Sequence, residues 1–329
     1  MAIKDQESLF QPFKPKKYQS SDIDSGVISS FQTSTLAPHK ETTYTNPENK
    51  VLNAAEAGEI STPPAPPSTP TPKFDSDYQA LLDYATSQGY TLPTEAQQFD
   101  QNNLVQVLKT NDIWQKLDLF YLFMTDGDED FAGLNWKSPS TFKINPVNSP
   151  TFTTNIGYTG NATDQYLETG WATASGSNYT QNNASHGVFT NNHRGSNFTG
   201  DIGYHGGGSN PYSAISYYNA DFGINGRDGF YINTNSAVNL GPLITTFRAT
   251  TLNNSTQQSF RGSNSVGTSV TSQPLQDDPI YIMQRGIAGS NWYAPSNVQF
   301  KADFWGGYLT QVQITALAKS LENYESTLL

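Results

Sequence analysis

From Phe131 to Phe304 the chain consists of short apolar–polar alternations broken by glycine and asparagine, and this pattern limits the fold more than any other feature. The clearest instance is Val298, Phe300, Ala302 and Phe304, interleaved with Gln299, Lys301 and Asp303. A period of two places the two sets on opposite faces of a strand, so one face is expected to be buried and the other solvated. Residues 212–218, 229–233 and 243–249 are further expected strands, separated by breaks such as 206–208 (GGG) and Asn225-Gly226. Only 14% of residues are charged, and Asn, Ser, Thr, Gly and Gln fill the difference. Many short strands in such a background predict a sandwich or jelly roll.

Three helices are expected ahead of the strands. Ser76 and Gln79 fit a capping box, Tyr78, Leu81, Leu82 and Ala85 keep helical spacing, and Gly89 is placed to end the helix. Leu104 and Leu108 share one face of a second, over 102–109. Ile113, Leu117, Phe120 and Met124 give the stripe of a third, ending near Gly127. At the far end, Thr310 and Gln313 form a capping box, Leu309 and Ile314 a hydrophobic staple, and Ile314, Leu317, Ala318, Leu321 and Tyr324 a buried stripe.

Residues 1–73 are of a different kind. They hold ten of the nineteen prolines and none of the five tryptophans. The run 61–72 (STPPAPPSTPTP) predicts an extended polyproline II spacer. Apolar residues upstream are too sparse to offset ordering entropy alone. This arm is expected to gain order from a partner, with Phe10, Phe13, Tyr18 and Phe31 as anchors. The expected organisation is an arm over 1–73, a small helical segment over 74–130, and a sandwich with a C-terminal helix over 131–329.

Several function classes are disfavoured. A net charge of −11, with Lys14, Lys16 and Lys17 as the only basic knot, argues against nucleic acid. There are no cysteines, which removes disulfides and thiolate metal sites. The first residues lack a signal-peptide core and no apolar run is long enough for a membrane span, so synthesis and assembly in a cytoplasm are expected.

No catalytic or metal constellation emerges. Counted from Asp126, an EF-hand would need Gly at Phe131 and Glu at Lys137, so the acidic loop 126–130 reads as solvated, a looser Ca²⁺ site being the alternative. His39, His186, His193 and His205 have no metal-binding spacing and read as surface hydrogen-bonders. No nucleophile elbow occurs. Asp164, Glu168, Asp201, Asp221, Asp228, Asp277 and Asp278 form no evident glycosidase pair, though that alternative stays open. No cofactor is expected. The best binding candidates are Trp171, Tyr204, Tyr217, Trp292 and Tyr293, as platforms for sugar faces, with Asn182, Asn191 and Asn192 for hydroxyls.

Three stretches together resemble concanavalin A-like (laminin-G-like) domains of tailed-bacteriophage virion proteins. They are 120–131 (FYLFMTDGDEDF) followed by 134–139 (LNWKSP), then 260–269 (FRGSNSVGTS), then the closing strand and helix over 300–329. The resemblance covers about residues 100–329 and implies two antiparallel sheets of jelly-roll topology with frequent glycan- or surface-binding roles. On it, the chain is expected to be a mainly β, non-enzymatic virion component, such as a capsid decoration, head-fibre, collar or tail protein. Its arm would dock on other virion proteins, as a homo-oligomer, in particles assembled in the bacterial cytoplasm. The exposed sandwich would meet host or surface polysaccharide. The alternative expectation is a polysaccharide-degrading glycosidase or lyase on the same fold.

Overall fold

The structure, a computed structural model, describes residues 74–191, 199–205, 212–218, 227–234, 237–240, 246–262, 264–284, 286–287 and 298–328. The N-terminal arm with Phe10, Phe13, Tyr18 and Phe31 lies outside them, as do the breaks at 206–208 and 225–226. Residues from Pro70 to Leu329 belong to one compact unit.

Two helices open it, α1 (Ser76–Gln88) and α2 (Glu95–Thr110). The strand β1 (Leu117–Leu122) and the short helix α3 (Glu129–Ala132) follow. Next come β2 (Asn145–Val147), β3 (Thr151–Thr153), β4 (Gly157–Thr159), β5 (Tyr166–Ala172), β6 (Asn183–Thr190), β7 (Thr199–His205) and β8 (Tyr212–Tyr218). They are followed by β9 (Arg227–Thr234), β10 (Val238–Leu240), β11 (Phe247–Asn253), β12 (Thr256–Arg261), β13 (Asn264–Ser269), β14 (Pro279–Ile282) and β15 (Gly286–Ile287). Strand β16 (Gln299–Gly306) and helix α4 (Gln311–Thr327) close the chain.

Among the described residues the strands form two sheets. One runs β13-β12-β11-β6-β16-β4-β3, with β1 also on β16; the other runs β10-β9-β8-β7-β14-β5-β2, with β15 on β7. The pairings are antiparallel except β15 with β7. The architecture is thus mainly β: two packed antiparallel sheets, a helical segment before them and a helix at the C-terminus.

The first sheet is covered on both sides. One face carries Phe120, Leu122, Phe189, Phe247, Ala302 and Phe304 against Tyr78, Leu81, Leu104 and Leu108 of α1 and α2 and Ile314, Leu317 and Leu321 of α4. The other carries Leu119, Tyr121, Val188, Phe300 and Trp305 against Leu167, Trp171, Ile202, Ile215, Phe230 and Ile282 of the second sheet. Burial of apolar area on both faces at about 25 cal/mol per Å² is what holds the three layers together.

That double cover corrects two expectations. The third helix is a strand: residues 117–124 are all buried except Asp118. A near-continuous apolar run suits a strand packed on both sides, and its helical spacing is incidental. Likewise Lys301 and Asp303 do not face solvent. A register shift between Phe300 and Ala302 turns Lys301 toward the helices, where it pairs with Glu325, and sends Asp303 and Trp305 into the sandwich. The capping box of Thr310 and Gln313 forms as expected. For α1 the cap is Asp75, whose carboxylate accepts from Asp77 N, and Gly89 ends the helix at φ 77°.

The acidic loop leads into α3. Asp126 accepts from the Thr94 N–H and hydroxyl, Asp128 from the N–H of Thr91 and Phe131, and Asp130 pairs with Lys143. Those carboxylates tie loops together rather than standing free in water.

Candidate functional site at the β11–β12 hairpin

The turn joining β11 and β12 has two residues, with Asn253 paired to Thr256 and Asn254 in the left-handed region at φ 54°. Asparagine tolerates that conformation, so it serves this turn without glycine. Asn253, Asn254, Ser255, Thr256, Gln258 and Tyr308 enclose an open concavity of about 400 Å³. That lies within the size range of small-ligand sites.

Tyr308 is held by the chain around it. A Cβ on Gly306 would lie 2.3 Å from the Lys116 carbonyl oxygen, so only glycine lets β16 pass β1 this closely. Gly307 N donates to Lys116 O, and the Ser185 hydroxyl donates to Gly307 O. Tyr308 N donates to Asn183 Oδ1. Leu309, fully buried, and the Thr310 cap then fix the entry to α4. Among the described residues the half-buried Tyr308 ring has no aromatic neighbour and its hydroxyl no hydrogen-bond partner. Its backbone is pinned on both sides, so placing the ring costs little entropy.

The polar groups beside it are partly committed. Asn254 Nδ2 donates to Asn253 Oδ1, leaving Asn254 Oδ1 and Asn253 Nδ2 available. Gln258 Nε2 is shared between Ser265 Oγ and Gln311 Oε1. The hydroxyls of Ser255 and Thr256 are exposed. Asn182, exposed, borders this end of the sandwich, with its carbonyl accepting from Asn254 N and its side chain from Ser272. The loop carrying it is pinned from behind: Asn233 Nδ2 donates to the carbonyls of Thr180 and Gln181, and Asn233 Oδ1 accepts from the Tyr179 hydroxyl.

The other expected binding residues do not converge here. Trp171 is 1% exposed and packs edge-on to Tyr179 and tilted to Trp305 in the core. Asn191 lies beyond the far end of the eight-residue β6, about 25 Å along the strand from Asn183, with its side chain accepting from Gln299 N. Tyr204 and Tyr217 belong to β7 and β8, but their side chains, like all of Asn192, Trp292 and Tyr293, lie outside the described residues. Tyr308 was not singled out from the sequence; its one signal is an aromatic placed between a Gly-Gly pair and a helix cap.

A second polar group of residues lies inside the sandwich. His186, Asp303 and Trp305 share one face of β6 and β16 and are fully buried. His186 is therefore not the surface hydrogen-bonder expected; it is a core residue. Burial pushes its pKa down to about 3, the Ala214 backbone acting weakly the other way. Burial holds the Asp303 carboxyl well above the usual range; the Trp305 indole acts in the opposite direction but lies outside hydrogen-bonding geometry. His186 is therefore neutral in the folded protein near pH 7, and burial disfavours the charged form of Asp303. With no exposure to solvent they form no site for a polymeric substrate.

No protein-family model matches the sequence, and no curated protein does. Solved structures do resemble it in part. The sialidase of Trypanosoma rangeli in complex with sialic acid is 11% identical, with a TM-score of 0.46, over 68% of this chain and 39% of that one. The same sialidase without ligand gives 11%, 0.45, 70% and 40%. Domain 4 of AbnA, a GH43 extracellular arabinanase of Geobacillus stearothermophilus, in complex with arabinotriose, gives 12%, 0.40, 62% and 98%. The chain thus spans about two-fifths of the sialidase. These structures are a sialidase and a domain of an arabinanase; the expectation of a non-enzymatic bacteriophage virion component finds no support among them and is withdrawn. At such scores the likenesses transfer neither a site nor an activity to this chain.

Proposed function

We propose that the protein recognises carbohydrate through the concavity at the β11–β12 hairpin, on a sandwich of the concanavalin A-like kind. The observation that carries this reading is Tyr308, a half-buried aromatic whose hydroxyl has no hydrogen-bond partner among the described residues, set among amides and hydroxyls around a space of about 400 Å³. A sugar offers the complement: an apolar C–H face for the ring and a rim of hydroxyls that both donate and accept. Asparagine and glutamine do the same through one amide, and this makes them suited to hydroxyl groups. The backbone around the site is fixed before any ligand arrives, which limits the ordering cost of binding.

The test is affinity electrophoresis and calorimetry of the whole chain against a panel of soluble polysaccharides. Tyr308→Ala is expected to weaken binding about tenfold or more, the loss of a stacking contact and a polar handle together, while leaving the thermal midpoint nearly unchanged. Undiminished binding by this variant would remove the hairpin concavity as the site. Reducing-end release during the same incubations would make the concavity the recognition part of a polysaccharide-cleaving enzyme.

A further inference from the structure

We infer that this concavity is selective for neutral, hydroxyl-rich glycan and discriminates against acidic sugars; the inference rests on the carbohydrate-binding reading above. Its six lining residues carry no acid and no base: three amides, two aliphatic hydroxyls and one phenol. A uronate, sialate or sulfate group entering it would lose water and find no cation in return. Anion recognition elsewhere relies on charge-assisted contacts from Arg or Lys.

The charged groups near the site are already engaged. Lys116, whose carbonyl holds Gly307, sends its ammonium to Gln313 Oε1. Asp118, on β1, accepts from the backbone N–H of Ser177, Asn178 and Tyr179 and from the Ser177 hydroxyl. Among the described residues the N-terminus of α4 is a feature that would favour an anion. Its capping box takes up the N–H of Thr310 and Gln313 within the helix start. A net charge of −11 on the chain repels polyanions at longer range.

The same geometry excludes a strong preference for amino sugars in cationic form, since no lining carboxylate exists to pair with an ammonium. Selection among neutral sugars would then follow from hydroxyl placement against Asn253, Asn254 and Thr256. Binding should be nearly independent of salt, because no ion pair forms.

The experiment compares a neutral glucan and mannan, polygalacturonate, sialyllactose and chitosan, at low and high salt (about 0.02 and 0.5 M), by calorimetry with the full chain. Expected is measurable affinity for a neutral glycan that changes less than about twofold with salt, and affinity for polygalacturonate and sialyllactose at least about tenfold weaker. The variant Thr256→Lys should gain polygalacturonate binding at low salt and lose it at high salt. Preference of the wild-type chain for an acidic glycan overturns this inference and leaves carbohydrate binding standing. Absence of any effect of Thr256→Lys on either ligand class places binding elsewhere and overturns it too. Failure to bind any glycan removes the carbohydrate reading itself.

Discussion

The imidazole of His186 lies stacked on the indole of Trp305, with centroids 4.2 Å apart and planes 18° from parallel, and neither ring has a hydrogen-bonded nitrogen. Asp303, two residues from Trp305 on the same face, is equally enclosed. Tyr121 of β1 is its cross-strand neighbour and the titratable group facing it. These groups give the fold two opposing pH dependences. His186 titrates at about 6.5 when unfolded and about 3 when folded. Its contribution is fully present above pH 6.5 and is lost as pH falls toward 3, because the unfolded chain then binds the extra proton. Asp303 shifts the other way. Its contribution is full below its unfolded value of 3.8 and declines as pH rises toward its higher folded pKa.

As pH rises from 3.8 the two dependences oppose one another, the His186 contribution growing while that of Asp303 declines. Single substitutions should expose them. Asp303→Asn is expected to become progressively more stable than wild type as pH rises from about 4. His186→Phe should gain on wild type as pH falls from about 6.5. Urea unfolding of both variants across this range is the check. Parallel stability curves would mean that neither group is held neutral in the folded state.

How much of this could be read from sequence depends on the kind of signal. The C-terminal helix was legible because its cap, staple and stripe are local, and each names its own partner. Strand β8 emerged with its bounds because alternation and turn residues bracket it. Strand β1 was not legible as a strand: Leu117, Phe120 and Met124 fit a helix face, and only the presence of layers on both sides explains why their neighbours are apolar too. Asp303 fails for the same reason, since alternation predicts a solvated face and cannot report a second sheet. At the candidate site Asn182 was visible as an exposed amide in an Asn-rich loop. Tyr308 gains its meaning from residues far away in sequence, Lys116, Asn183 and the 253–256 turn, and no local pattern joins them.

Gly187 makes a test of close packing in the first sheet. A Cβ there would come within 2.4 Å of the Phe304 ring and 2.8 Å of Ala249 Cβ. Both neighbours sit under the helices in a filled core, so neither can yield cheaply. Gly187→Ala is expected to cost about 1–3 kcal/mol, read as a lower urea midpoint with an unchanged slope. A neutral result would show that Phe304 has room to turn.

Lys301 and Glu325 join β16 to α4, with the ammonium also 5.4 Å from the Phe189 ring centroid. The lysine side chain is 10% exposed and the glutamate 32%. Removing the acid leaves a largely buried cation, whereas replacing the lysine leaves a carboxylate able to turn to water. Glu325→Ala should therefore destabilise by more than Lys301→Met, by roughly 1–3 kcal/mol. Thermal melts of the two variants and the double variant decide it; equal losses would make the pair a surface contact of little worth.

Gln101 is the point where four elements meet. It is fully buried on α2, accepts from the Tyr78 hydroxyl of α1, and donates to Gln97, to Thr125 beyond β1, and to the Tyr324 hydroxyl of α4. Tyr324 in turn donates to the Met124 carbonyl, so the network fastens both ends of the helical layer to the first sheet. Gln101→Leu keeps the volume and removes every one of these bonds, leaving the Tyr78 hydroxyl buried without an acceptor. The loss is expected to be about 2–4 kcal/mol, well above that of a single exposed hydrogen bond. Paired with Tyr78→Phe, which deletes the orphaned hydroxyl, part of that loss should be recovered. Strict additivity of the two substitutions would show that the hydroxyl and the amide are not coupled.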